Sequence, residues 1–222
     1  DVVANKDTKA AYQAALAAAE TALDDAASTD AALEAASKAL ESAMEALTKS
    51  KADYAVLQTL CNRFGNLSGA LLDIDINGDM ETIPIAYAEA LEGLIYDGEC
   101  DGAEEVAKYQ QKYDVYNGLY EIFMWTSQRK EELGDDVLIG MIEEKEDALR
   151  TAWVNETYTT AAEVAAAKDD IASMIAKYLN SAIKPGDDLT AMISNPNFEE
   201  NADGWDRNGF DNPGYSYSCV EY

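Results

Sequence analysis

The sequence predicts an all-α protein, an elongated antiparallel bundle of about six helices, with a short incomplete β segment at its C-terminus. Three observations predict it. First, Leu33, Leu40, Leu47, Tyr54 and Cys61 recur every seven residues, with Ala36, Ala43, Ser50, Leu57 and Phe64 three places after each; such a seam marks a long helix packed along one stripe. Second, Tyr109, Tyr113, Tyr116, Tyr120 and Phe123 repeat the same spacing further on. Third, alanine and glutamate give way after Lys184-Pro185-Gly186 to glycine, asparagine, proline and aromatics.

Residues 1–6 read as a linker, and Asp1 as the start of a fragment or a mature chain. Helix 1 is expected from Asp7 to about Asp25, with Tyr12, Leu16, Ala19 and Leu23 on its apolar face. The spine comes next, over residues 29–66. Thr29 or Ser28 caps it, and Asp30 and Glu34 sit near the positive end of its dipole. Leu33 to Phe64 would span roughly 48 Å. Helices 1 and 2 form an alanine-rich hairpin, and the seam outruns helix 1, so its second half must meet other helices.

The next stretch, Asp73 to Asp79, is the first candidate for chemistry. Asp73, Asp75, Asn77 and Gly78 match positions 1, 3, 5 and 6 of a calcium loop, with Asp79 adding a further carboxylate. Position 12 is Pro84, where a bidentate glutamate is needed, so an acidic loop with an Asn-Gly turn is the default reading. Thr82 would then cap helix 3, about Ile83 to Tyr96, with Ile85, Ala88, Leu91 and Ile95 on one face. Helix 4 runs from about Gly102 to Leu133 and carries the aromatic stripe. Its tyrosines suit a partly wet helix interface better than a sugar platform.

Helix 5 is expected from about Asp136 to Trp153, and helix 6 from about Thr160 to Ile183. Leu16, Glu20, Ala22 and Leu23 match Ile142, Glu146, Ala148 and Leu149 in register, which suggests two similar helical hairpins. The expected domains are therefore a helical region over 1–186, divisible into two modules at about 1–72 and 83–186, and an incomplete β-module over 187–222. Residues 187–222 are too few for a stable β-domain by themselves.

Composition narrows the function classes. Sixteen Lys and Arg against 43 Asp and Glu give a net charge of −27, which argues against nucleic acid and anionic membrane as partners. Histidine is absent, removing the commonest general base and transition-metal ligand. Cys61, Cys100 and Cys219 are odd in number and far apart, so they suggest neither a zinc pattern nor a disulfide framework; Cys61 reads as a small hydrophobe on the seam. No apolar run approaches a membrane span. Carboxylates are too common here to mark a glycosidase pair by position, and no nucleophile elbow or phosphate loop accompanies them.

Two resemblances add to this reading. Asn195-Pro196-Asn197-Phe198-Glu199, then Gly204-Trp205, resembles the opening strand of galactose-binding-like β-sandwich modules, which include many carbohydrate-binding modules. The resemblance implies core roles for Phe198 and Trp205, a structural calcium ligand at Glu199, and further strands beyond Tyr222. Ala11-Tyr12-Gln13-Ala14-Ala15-Leu16 and the paired small-and-large helices over 8–50 and 137–183 are similar to FIVAR (found in various architectures) modules of large secreted bacterial proteins. Together they imply a secreted or bacterial cell-surface protein. Its helices would be a non-catalytic spacer or scaffold, with carbohydrate bound through the β-module and no cofactor beyond, at most, calcium. An adhesin-like helical surface that recognises a host protein or glycan is the alternative, with Trp125 and Trp153 as the large aromatics off the seams. The oligomeric state is left open.

Overall fold

The structure, a computed structural model, describes residues 2–72, 74 and 78–181. The described residues are 85% helical, in six helices with no strand: α1 Lys6–Asp24, α2 Asp30–Leu71, α3 Thr82–Asp97, α4 Gly102–Leu133, α5 Asp136–Val154 and α6 Ala161–Ser181. The chain is all-α there, as the seams predict. It divides into two units, Asp1–Ala176 and Lys177–Tyr222; the first holds α1 to α5 and most of α6. The expected β segment over 187–222, with Phe198, Glu199 and Trp205, lies outside the described residues. Among the described residues, no helix is long and apolar enough to cross a membrane.

α2 is the spine. Thr29 Oγ1 caps it by accepting from the Ala32 amide, and the seam is the face that packs. Leu33, Ala36, Leu40, Ala43 and Leu47 are half-buried against α1, whereas Tyr54, Leu57, Leu60, Phe64, Leu67 and Leu71 are buried. At 42 residues the helix is about 63 Å long. It runs five residues past the expected end at 66. Gly65 and Gly69 lie within it and cost about 1 kcal/mol each relative to alanine. Burying Leu67 and Leu71 returns roughly 1.5–3 kcal/mol apiece, so burial overrides the glycine signal.

α1 has no fully buried residue. Its inner face runs through Tyr12, Leu16, Ala19 and Ala22, while Leu23, expected on that face, is 75% exposed. The hairpin is joined to the body at one knot. The Asn5 amide donates to Ser50 Oγ at 2.9 Å and its Nδ2 to the Cys100 carbonyl at 2.9 Å. The Lys6 amide donates to the Gly98 carbonyl at 2.7 Å, and the Tyr54 hydroxyl to the Cys100 carbonyl at 3.0 Å. Two glycines are required there. A Cβ on Gly98, which has φ +63°, would lie 3.2 Å from the Ala4 carbonyl oxygen, and one on Gly102 would lie 2.9 Å from Asp53 Cβ.

α3 runs antiparallel to α2, with Tyr87 stacked on Phe64 at 5.2 Å. Its buried face passes through Pro84 and Leu91. Ile85, expected inside, is 39% exposed, because the face toward α2 is rotated to Tyr87, with Ala88 and Leu91 of the expected face kept on it. Thr82 is the first helical residue and not a cap; its hydroxyl donates back to the Asp79 carbonyl at 2.8 Å.

α4 lies parallel to α2, with Gly102 against Tyr54 and Tyr113 edge-on to Phe64. Its C-terminal half packs antiparallel to α5, through Thr126–Glu146 and Tyr116–Trp153, and against α6 at Gly118–Val164. The aromatic stripe is core, as expected: Tyr109, Tyr116 and Phe123 are buried, and Tyr113 and Tyr120 half-buried. A capping box opens α6, where the Thr160 amide donates to Glu163 and the Glu163 amide to Thr160 Oγ1.

The two hairpins pack differently. α1 lies close on α2, whereas α5 sits closer to α4 than to α6. At the matched positions, Leu149 is buried and Leu23 is not.

Candidate functional site

Of the calcium-loop candidates, Asp73, Asp75 and Asn77 lie outside the described residues, as does Glu199. Asp79 is exposed, and its backbone carbonyl, the seventh position of such a loop, accepts the Thr82 hydroxyl. The flanks of the loop are held by α5. Arg150 Nη1 donates to the Ile74 carbonyl at 2.8 Å, and Trp153 Nε1 to the Met80 carbonyl at 2.9 Å. Trp153, a candidate for an exposed binding aromatic, is thus 0% exposed. A tryptophan at the last turn of α5 is long enough to reach under the loop and satisfy its indole N–H there. Trp125 is half-buried with the Lys168 ammonium 5.6 Å above its ring. Among the described residues Tyr96, singled out by no motif, is an aromatic that stands in solvent, 88% exposed.

A phenol and an ammonium from two different helices gather at Glu156, in the turn between α5 and α6. The Tyr87 hydroxyl of α3 donates to Glu156 Oε2 at 2.6 Å, and Lys112 Nζ of α4 donates to the same oxygen at 2.8 Å. Tyr116 lies beneath, packed edge-on to Trp153 at 4.9 Å. The Lys112 ammonium beside it, then the Tyr87 hydroxyl, holds the Glu156 carboxyl below its ordinary value. The Glu156 carboxylate in turn raises Lys112. Burial first, then Glu156, raises the Tyr87 phenol, and burial raises Tyr116 well above the usual tyrosine range. A carboxylate kept ionised by an ammonium and a phenol is a poor proton carrier at neutral pH. Its chemistry is that of a charge-assisted anchor.

The backbone at this point breaks a local rule. The Glu156 amide donates to the Trp153 carbonyl and the Thr157 amide to the Ala152 carbonyl, the paired bonds of a Schellman helix end. That geometry puts Glu156 at φ +51°. α3 and α4 end in the same left-handed conformation on Gly98 and Gly134; α5 alone among these three uses a side-chain residue.

A second carboxylate, Glu146, is buried between α4 and α5. It accepts from Thr126 Oγ1 at 2.5 Å and from Lys130 Nζ at 2.7 Å. Both of its oxygens are therefore engaged within the fold. Cys61 is half-buried with its thiol on the Ala88 carbonyl, and burial, then Glu92, raises its pKa. Cys100 Sγ lies 3.4 Å from the Tyr54 hydroxyl. Among the described residues, no group of three metal-ligating side chains comes together. No protein-family model, curated protein or solved structure matches the chain.

Proposed function

We propose that the helical region is a non-catalytic spacer or scaffold within a secreted or cell-surface multidomain protein that binds or uses carbohydrate. The observation that carries this reading is the pinning of the 42-residue α2 at its middle. Asn5 on Ser50, Tyr54 on Cys100 and Lys6 on Gly98 fix the start of α1 and the α3–α4 turn to one point of the helix. A hairpin anchored at its base in this way holds its two ends at a set separation, which a spacer requires. The buried carboxylate Glu146 supports the reading, since its donors come from within the fold. The carbohydrate and surface assignments rest on the likeness of Asn195–Trp205 to a galactose-binding-like strand and of 8–50 and 137–183 to FIVAR modules. Nucleic acid and membrane remain outside the proposal on grounds of charge.

The exposure of Tyr96 favours a second reading, an adhesin-like surface, because a fully presented aromatic is a common recognition anchor. Glycan-array binding by the 222-residue chain and by residues 1–186 separates the two. A spacer leaves residues 1–186 silent on the array. Saturable binding by residues 1–186, lost in Tyr96→Ala, overturns the spacer reading in favour of the surface.

A further inference from the structure

We infer that Glu156 is a strained latch: its carboxylate, held by Tyr87 and Lys112, keeps the α5–α6 turn closed, and losing that charge opens the turn while the rest of the unit stays folded. Three observations carry this. The residue occupies a left-handed position at φ +51° where L side chains pay about a five- to thirtyfold penalty in population. The equivalent ends of α3 and α4 avoid that penalty with Gly98 and Gly134. The carboxylate reaches two donors on two different helices, at 2.6 and 2.8 Å. Backbone strain held in place by a specific side-chain anchor is a stored bias, and it is released when the anchor goes.

The groups that face the carboxylate are Lys112 and Tyr116 from α4 and Tyr87 from α3. α5 and α2 contribute Trp153 and Phe64 to the surrounding rings, neither of which titrates. Lys112 keeps its charge and the two phenols stay neutral throughout the acid range, so Glu156 is the group among these four that protonates as pH falls. The other acid-titrating carboxylate of the turn, Glu163 of α6, holds the Thr159 and Thr160 amides and not those of residues 155–157. A second tie, Gln111 Nε2 on the Thr159 carbonyl at 2.8 Å, retains the far side of the turn and confines the opening to residues 155–157. The latch operates whether or not the unit serves as a spacer.

Amide hydrogen exchange of the full chain tests this at Asn155, Glu156 and Thr157, referred to the intrinsic rate at each pH. In the wild type, protection of these three amides falls about tenfold as pH drops through the carboxylate's titration, below 4.5, while far-UV helicity holds. Glu156→Gln lowers protection at neutral pH and removes the pH dependence. Glu156→Ala, which keeps the strain without the anchor, exchanges five- to thirtyfold faster than Glu156→Gly, which relieves it. Tyr87→Phe weakens the same amides from a distant helix. Wild-type protection in Glu156→Gln, a pH dependence that survives that change, or equal exchange in the alanine and glycine variants overturns the latch.

Discussion

The Tyr87 hydroxyl donates to Glu156 at 2.6 Å across 69 residues of sequence. Through this contact α3 touches the turn that starts α6, and Lys112 completes it from α4. Two consecutive helices, α3 and α4, therefore meet the α5–α6 turn at one carboxylate oxygen.

Replacing Lys112 with Met removes the first cause of the Glu156 depression. A carboxyl with a lowered pKa contributes stability that is present above the unfolded value and lost as pH falls through the folded one. Both partners are partly exposed, so the loss at neutral pH is small, about 1 kcal/mol, or about 2–4 °C in Tm. The acid limb of the melting profile should move up toward 4.5. An unmoved limb means that Lys112 does not set the carboxylate.

Glycines give a prediction of opposite signs. Gly102→Ala puts a methyl 2.9 Å from Asp53 Cβ and 3.1 Å from the Tyr54 ring, and should cost about 1–3 kcal/mol. Gly65→Ala, inside α2 with nothing within 4 Å of the new methyl, should gain about 0.5–1 kcal/mol. Urea denaturation reads both. A stabilised Gly102→Ala would mean that the knot at the base of the hairpin is loose.

Lys130→Met leaves Glu146 buried beside Thr126 without its ammonium. Stranding a buried carboxylate should cost about 3 kcal/mol. Adding Glu146→Leu should recover much of that loss, since the remaining hole is then apolar. Strict additivity of the two changes would show that the pair is not coupled.

Alkaline pH attacks the tyrosines. Burial raises Tyr54, Tyr87, Tyr109 and Tyr116 above their ordinary 10.0. A raised pKa contributes stability that is full below the unfolded value and lost as pH rises past it. Phenolate absorbance should therefore rise in two stages above pH 10, the second coinciding with loss of helical circular dichroism. A single stage that precedes unfolding would contradict the buried cluster.

Much of the fold was legible because helical burial writes itself as period. The Leu33–Phe64 seam and the Tyr109–Phe123 stripe are the faces that pack, and helix 4 begins and ends where Gly102 and Leu133 predict. The errors come where tertiary burial outweighs local signals. The residues past 66, Gly69 among them, read as lying beyond the helix but are carried inside α2 by Leu67 and Leu71, and Trp153 reads as off-seam but is drawn under the Met80 carbonyl. The Glu156 site was not legible. Its three polar members come from three separate stretches, and the one local clue is the absence of glycine at the end of α5. Of the four side-chain ligand candidates in the loop, Asp73, Asp75, Asn77 and Asp79, the last lies among the described residues, exposed and with its carbonyl on Thr82.

The claim that a stiff, base-anchored hairpin spaces other modules is tested most directly by the length of α2 in solution. Spin labels attached through bioorthogonal side chains at the exposed positions Ala35 and Gln58, leaving the cysteines in place, report it by double electron–electron resonance. A continuous helix gives one narrow distance distribution centred near roughly 35 Å, widened only by the labels. A broad or two-peaked distribution, with a component well short of that distance, would contradict the account.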